Sequence, residues 1–365
     1  MIKIKDVIKE LELWAPPALQ ESYDNAQLIV GDANQVLEKV LLSLDCIEAV
    51  VDEAIELGCN LIVAHHPIVF SGLKSLTGKN YIERTIIKAI KNNIAIYAIH
   101  TNLDNVKTGV NFKIAEKLGL ENVEILSPKK GLLEKLVFYC PAGNVDQVRE
   151  SVFAAGAGKI GAYNSCSFNS NGIGTFKAGE QANPHVGEIG KMHREEEVCV
   201  ETIVPIYLKS KVINALLMSH PYEEVAFDFY PLSNSWNEVG SGMIGELSEE
   251  TDALAFLKSV KSKLNTPIIR HTKIVQNEIS KVAICGGSGS FLLNDAKKKG
   301  AEIFITADYK YHQFFDAEDQ IVIADVGHYE SEQFTPELIK EYLQQNFPNF
   351  ALYLSEVNTN PINYL

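Results

Sequence analysis

His65 and His66 stand side by side after a short apolar run, Leu61–Ala64, with Pro67 behind them. Adjacent residues of an extended chain point to opposite sides. Two neighbouring imidazoles therefore grip one ion poorly, but each can hold one of two. Asp104 follows another apolar run, Ile94–Ile99, within His100-Thr-Asn-Leu-Asp104, and His328 follows Ile321–Val326 within Gly327-His-Tyr-Glu-Ser-Glu332. His328 and Glu332 are four positions apart, so one helical turn sets both on the same face. Three imidazoles and two carboxylates make five donors. With both carboxylates and a hydroxide bridging, the count rises to nine bonds over two ions, enough for two shells of about four ligands each. Ion pairs of this kind, about 3.5–4 Å apart, serve metal-assisted hydrolysis with the bridging hydroxide as nucleophile. Imidazole with carboxylate suits zinc, iron, manganese or nickel.

Each piece has a duller explanation on its own. A lone histidine is more often a packing or surface residue, and a solvated His328–Glu332 contact contributes only about 0.3–0.5 kcal/mol. Jointly the five fall at the carboxyl ends of expected parallel strands, where open α/β sheets bind ligands. That convergence favours the metal centre. Asp308 and His312, four apart after the run Glu302–Thr306, and His100 are candidates for orienting a ligand or acting as a general acid. Asp45, ending the run Val40–Asp45, is a further one.

The elements that must position these groups alternate. Val40–Asp45, Leu61–Ala64 and Ile94–Ile99 read as strands, and the helical spacing of Ile47, Val50, Val51, Ala54 and Ile55 and the segment Tyr81–Asn92 read as helices between them. Lys281–Cys285, Glu302–Thr306 and Ile321–Val326 repeat the pattern, with helices around Phe291–Lys299 and Pro336–Gln345. Strands alternating with helices imply parallel βαβ units and a mostly parallel sheet. The middle differs: strand Glu134–Cys140, helix Val145–Ala155, two short strands around Ala162–Phe168 and Gly174–Lys177, a charged strand Glu195–Val204, helix Lys209–Met218 and strand Val225–Tyr230. A β-α-β-β-α-β order is ferredoxin-like. The expected architecture is an α/β domain of residues 1–127 and 233–365, split by an inserted ferredoxin-like α+β domain of residues 128–232.

Composition bounds the partners. The chain has 365 residues, 46% of them hydrophobic, and a formal net charge of −14. That charge opposes non-specific nucleic-acid binding, which runs on basic surface. A phosphorylated or nucleotide substrate stays open, because a local metal centre can outweigh the global field. The six cysteines are scattered without a CxxC pair, which reads as reduced thiols. No run approaches the roughly 18–20 apolar residues of a membrane span, and the N-terminus lacks a signal peptide's pattern. A soluble, cytoplasmic protein is expected.

Two glycine-rich stretches invite a phosphate-loop reading. Gly156-Ala-Gly-Lys159 fails it, since Phe153 and Ala154 stand where the motif needs glycine and Ile160 where it needs Ser or Thr. Cys285-Gly-Gly-Ser-Gly-Ser290 reads first as a tight strand-to-helix turn, with substrate contact as its second reading. His220-Pro-Tyr-Glu-Glu lies in the insert, which favours a structural or interface role.

Ala64-His-His-Pro-Ile-Val-Phe70, His100-Thr-Asn-Leu-Asp104 with Gly109-Val-Asn111, and Gly327-His-Tyr-Glu-Ser-Glu332 resemble the NGG-interacting factor three-like family, also labelled type 2 GTP cyclohydrolase I homologues. Tyr23-Asp-Asn25 with Val30-Gly31, Leu44-Asp45, and Thr306-Ala-Asp308-Tyr-Lys-Tyr-His312 are similar to its other signature stretches, with Ala307 departing from a frequent glycine. The resemblance spans nearly the whole chain. It implies two divalent metals on His65, His66, Asp104, His328 and Glu332. The insert resembles the PII- or CutA-like domain of longer bacterial members through Ala155-Gly-Ala-Gly-Lys-Ile-Gly161, Cys166-Ser-Phe168, Gly174-Thr-Phe176 and His220-Pro-Tyr-Glu-Glu-Val225. Ring-shaped homohexamers with the metal sites facing an internal cavity are implied for such members.

The leading expectation is a dinuclear metal-dependent hydrolase acting on a small molecule such as a nucleotide or phosphoester. Ring opening of a purine nucleotide is one version, although no guanine-reading group is assignable. The alternatives are a non-catalytic metal-binding regulatory or assembly protein and a redox di-iron centre.

Overall fold

The computed structural model describes residues 1–365 and divides into two compact units, Met1–Ser127 with Glu238–Leu365, and Pro128–Asn237. Strands in the first third are β1 (Leu28–Val30), β2 (Val40–Ser43), β3 (Leu61–Ala64), β4 (Ala95–Ala98) and β5 (Glu121–Lys130). The middle carries β6 (Leu133–Pro141), β7 (Ser167–Lys177), β8 (Met192–Pro205) and β9 (Phe227–Pro231). The last third adds β10 (Ser235–Asp252), β11 (Arg270–His271), β12 (Glu278–Ser288), β13 (Ile303–Ala307), β14 (Val322–Asp325) and β15 (Leu352–Leu354).

The fold is mixed α/β with several sheets. Where the sequence suggests one mostly parallel sheet in the larger unit, there are two. The first has the order β1-β4-β3-β2-β15 and the second β11-β14-β13-β12-β10-β5. Each has a parallel centre: β4, β3, β2 and β15 in one, β12, β13 and β14 in the other. Antiparallel neighbours flank them, β1 on β4, and β10 and β11 on β12 and β14. Periodicity predicts that a strand exists, not which strand it pairs with. The βα pattern of the last third therefore reads as a continuation of the first sheet although it builds a second.

The central strands are apolar throughout because both faces are covered. Every residue of β2, β3, β4, β13 and β14 is buried. Helices Glu48–Leu57 and Tyr81–Lys91 lay Val50, Val51, Ala54, Ile86 and Ala89 onto Leu41, Ile62 and Ile96 of the first sheet. The second sheet has its own core of Ile244, Ala283, Phe304 and Ile323, packed with Leu292, Leu293 and Ala296. Each sheet is thus a separately supported platform whose strand ends can be aimed at the other.

Pro128–Asn237 has its own four-stranded sheet, ordered β7-β8-β6-β9, with β8 antiparallel to β6 and β7, and β9 antiparallel to β6. Helices Val145–Ala154 and Lys209–Ser219 contribute Val148, Val152, Val212 and Leu216 to a core with Leu136, Phe138 and Val200. The two short strands expected around Ala162–Phe168 and Gly174–Lys177 are one strand, β7, paired with β8 from Ser167 to Lys177. Gly172 and Gly174 lower the strand signal locally, but pairing along β8 carries the ladder through them.

Candidate metal centre

The chain leaves β3 at Ala64 and immediately places His65, wholly buried, and His66. The His65 backbone N–H still donates to Ser43 and that of His66 to Leu44, so both residues extend the edge of the first sheet. After β4 the chain makes a single helical turn, Thr101–Asp104, that brings Asp104 to the same edge. Gly109 packs against that turn so closely that a Cβ there would sit 1.8 Å from the Leu103 carbonyl oxygen. Across from them, β14 ends and the short helix His328–Glu332 begins after Gly327. Three groups come from the first sheet and two from the second. The centre therefore lies between two sheet ends, not along the one edge expected.

Both sides are tied together by Asn111. Its amide donates to the Asp104 carbonyl at 3.1 Å and its oxygen accepts from the Gly286 N–H at 2.9 Å. Gly287 completes the approach with φ +60, a left-handed conformation, and a Cβ there would stand 2.6 Å from Glu332 Oε1. The Cys285–Ser290 turn is thus the floor under Glu332.

His65 Nδ1 bonds the Ile99 carbonyl at 2.8 Å, which leaves Nε2 pointing at Asp104 Oδ1 3.6 Å away. Both atoms are buried and neither has a hydrogen-bond partner. His66 Nε2 and His328 Nε2 both approach Glu332 Oε2, at 3.1 and 3.2 Å. Behind each ring stands a carboxylate: Asp45 on His66 Nδ1 at 2.8 Å, Asp308 on His328 Nδ1 at 2.6 Å, and Asp24 on His100 Nδ1 at 2.8 Å. Donor atoms fall into three overlapping groups, each within 4.8 Å: His65 with His66 and His100, His66 with His328 and Glu332, and His65 with Asp104 and Glu332.

The electrostatics describe a negative centre that gathers protons. Burial opposes charging His66 and His328, but the flanking carboxylates prevail and raise them to about 9 and about 11. Burial also resists ionising Glu332, yet the two imidazoles hold it well below the usual carboxylate range. Asp104 is pushed well up, by burial first and by Glu332 next. Burial drives His65 down to about 3, so its ring is neutral. With Nδ1–H committed to Ile99, a lone pair on Nε2 faces an acceptor oxygen across 3.6 Å. At 3.6 Å the gap is too long for a hydrogen bond through a proton kept on Asp104, and an ionised Asp104 would set two buried acceptors face to face, a repulsion that a cation between them removes. The donor set fits a divalent ion on this ground, and the carboxylate behind His66 and His328 is the usual device for fixing a ligating ring.

Of the groups named from the sequence, His65, His66, His100, Asp104, His328 and Glu332 converge, and Asp308 lies behind His328. His312 does not join them. It is exposed on the segment Tyr311–Ala317, with its ring against Tyr311 and Phe315. Four-residue spacing from Asp308 implies a shared face only in a helix, and Asp308 itself is left-handed, φ +58. Asp45 braces His66 and receives a 2.5 Å hydrogen bond from Thr359. Sequence reasoning gave no role to Asp24, Thr359 or Asn111. Asp24 and Asn111 sit in quoted motif stretches, which was the available signal; Thr359 has none.

A family model described as Duf34/NIF3 (NGG1p interacting factor 3) matches residues 2–361. The chain belongs to the Duf34/NIF3 family. A relative from Halalkalibacterium halodurans named "GTP cyclohydrolase 1 type 2 homolog" is 42% identical over 364 residues, covering 98% of either chain. One of the same name from Bacillus subtilis is 38% identical over 99% of this chain and 98% of its own. Among solved structures, a Bacillus cereus protein related to NIF3 superposes with a TM-score of 0.87 at 39% identity, covering 100% of this chain and 99% of the other. No helix of this Duf34/NIF3 member is long and apolar enough to cross a membrane.

Proposed function

We propose that the protein is a metal-dependent hydrolase whose centre holds two divalent ions between His65, His66, Asp104, His328 and Glu332. The observation that carries this reading is the buried, partnerless pair His65 Nε2 and Asp104 Oδ1. Glu332 supports the count of two, since it belongs both to the group with His66 and His328 and to the group with His65 and Asp104. Bound there, such ions supply Lewis-acid polarisation of an electrophile and a water acidified toward neutrality. The chain's own residues do the rest. Ile99, Asp45 and Asp308 fix the three rings, so little reorganisation is needed at the moment of reaction. His100 Nδ1 is held by Asp24, which leaves Nε2 facing the cluster, placed to take or return a proton. The relatives' name points toward ring opening of a purine nucleotide, and phosphoester or amide hydrolysis would use the same centre.

The unit Pro128–Asn237 is read as a ferredoxin-like module of the PII/CutA kind, from its element order and its sheet order. By family resemblance we infer a homohexamer. Six free cysteines support a reducing, cytoplasmic setting. The test is elemental analysis of protein purified without added metal, followed by a panel of esters, amides, phosphoesters and nucleotides with the metal found. Two ions per chain and turnover abolished by His65→Ala are expected. A metal-free protein, or turnover indifferent to His65 and Glu332, overturns the reading.

A further inference from the structure

A cavity of about 510 Å³ lies wholly within the unit Pro128–Asn237 and shares no residue with the metal centre. Its walls are residues 174–177 at the end of β7, Glu197 on β8, and residues 222–224 in the turn before β9. Tyr222 is the hub. Its ring stands 6.2 Å from Phe176 at 61° and 6.2 Å from His185 at 53°. Neither neighbour is stacked flat on it, so the rings meet at angles, as walls of one hollow. His220 holds this hub in place from behind, since its Nδ1 accepts from the Tyr222 N–H and its Nε2 bonds the Tyr139 carbonyl.

Two glycines make room for the polar side of the hollow. Glu197 Oε1 accepts from the Tyr222 hydroxyl at 2.8 Å, and a Cβ on Gly174 would stand 2.0 Å from Glu197 Oε2. The carboxylate therefore fills the space of a side chain that Gly174 lacks, which accounts for a strand position that gives up packing. Gly187, left-handed at φ +84, does the same for His193, whose Cγ would lie 2.9 Å from an added Cβ. His193 in turn packs on Phe176 at 5.3 Å and is held by Glu195 at 2.8 Å. Glu223 and Glu224 stand exposed at the rim, Glu223 accepting from the Asn183 N–H at 2.8 Å. Three carboxylates thus face this space, against Lys177 and the exposed His185. An aromatic face attracts a cation brought within about 6 Å of its centre, and a carboxylate beside it adds to that attraction. A bare metal ion suits the hollow less well, since the metal-donor atoms that converge in threes all lie in the other unit.

We propose that this cavity is a binding site for a small organic ammonium ion, with its apolar body against Phe176 and Tyr222 and its charge met by their ring faces and the Glu197 carboxylate. The site is separate from the metal centre and does not depend on what that centre does. It also gives the His220-Pro-Tyr-Glu-Glu stretch a single purpose: a brace, a ring and two rim carboxylates delivered by consecutive turn residues.

The test uses two pairs of nearly equal shape that differ in charge: choline with its carbon isostere dimethylbutanol, and benzylammonium with benzyl alcohol. Binding to the full chain is measured by ligand-observed NMR. In at least one pair the cation is expected to bind roughly tenfold more tightly than its neutral partner, the effect of ring faces and a carboxylate acting together. Glu197→Gln, which keeps the shape and the Tyr222 contact, should weaken that cation roughly tenfold and leave its neutral partner unchanged, as loss of one charge implies. Phe176→Leu should cost roughly three- to fivefold, the share of one ring face. Saturating the metal centre with zinc should change none of these values. Equal binding within both pairs, or no binding by either cation, overturns the proposal without recourse to any variant. Binding indifferent to Glu197→Gln, or abolished by zinc, overturns it as well, by assigning the cation to another part of the molecule.

Discussion

Histidines in the two units differ in what their ring nitrogens have left to do. In the insert, His220 gives Nε2 to the Tyr139 carbonyl at 2.9 Å, and its Nδ1 accepts from the Tyr222 N–H at 3.1 Å. Burial lowers its pKa, both nitrogens are consumed, and the ring serves as a neutral brace. In the larger unit His65 is more deeply buried, yet only Nδ1 is consumed. Burial alone therefore does not distinguish a structural histidine from a ligating one. The distinction lies in whether the second nitrogen is answered by the protein, since an unanswered buried acceptor costs about 1–3 kcal/mol and is retained where something else answers it.

The sharpest way to break that contrast is to truncate both rings. His65→Ala or Glu332→Ala should lower bound metal from two ions per chain to fewer than one, read by elemental analysis after dialysis. His220→Ala should keep both ions and lower thermal stability by about 1–3 kcal/mol, the cost of leaving the Tyr139 carbonyl and Tyr222 N–H without partners. Metal loss in His220→Ala, or retention in His65→Ala, would erase the distinction.

Next in size are the carboxylates behind the rings. Asp45→Asn, Asp24→Asn and Asp308→Asn should each weaken metal affinity or turnover by about 10- to 100-fold, the usual effect of removing a group that orients a ligand. Glu195→Gln, which removes the carboxylate 2.8 Å from His193 Nε2 in the insert, should leave competitive-chelator titrations unchanged. The glycines make a smaller pair. Gly287→Ala forces a side chain into a left-handed backbone against Glu332, costing about 1–2 kcal/mol and shifting metal affinity with it. Gly172→Ala, in β7 with nothing within 4 Å of its added carbon, should be close to neutral in thermal melts.

The smallest effect concerns the loop after Phe70. Glu83 accepts the backbone N–H groups of Thr77, Gly78 and Lys79, and these bonds depress its carboxyl to about 2 from an ordinary 4.5. A depressed carboxyl contributes its stability above the ordinary value and loses it as pH falls through the folded one. Amide exchange at residues 77–79 should therefore accelerate, relative to the insert, as pH falls from about 4.5 toward 2. Uniform behaviour would show that Glu83 does not anchor the loop.

How much of this was readable before folding depended on locality. His328 and Glu332 are one turn apart, so their shared face followed from spacing, and β3 followed from a buried apolar run ending at His65. Asp24 was not readable in the same way, because it sits in an irregular segment and reaches His100 across 76 positions. The two-sheet arrangement was hidden for a related reason: strand partners are chosen by packing, not by the pattern within a strand. His312 was placed by sequence only as following the run Glu302–Thr306, and its exposed position against Tyr311 and Phe315 depends on the backbone turn at Asp308, which spacing does not encode.

His66 and Glu332 lie 266 positions apart in the chain. At a synthesis rate of about 5–20 residues per second, the two histidines leave the ribosome roughly 13–53 seconds before the glutamate that must join them. During that interval the nascent protein carries adjacent imidazoles with no partner from the second sheet, so cations met in that window encounter only a fragment of the pocket. The full donor set is accordingly assembled only after translation, in the finished molecule.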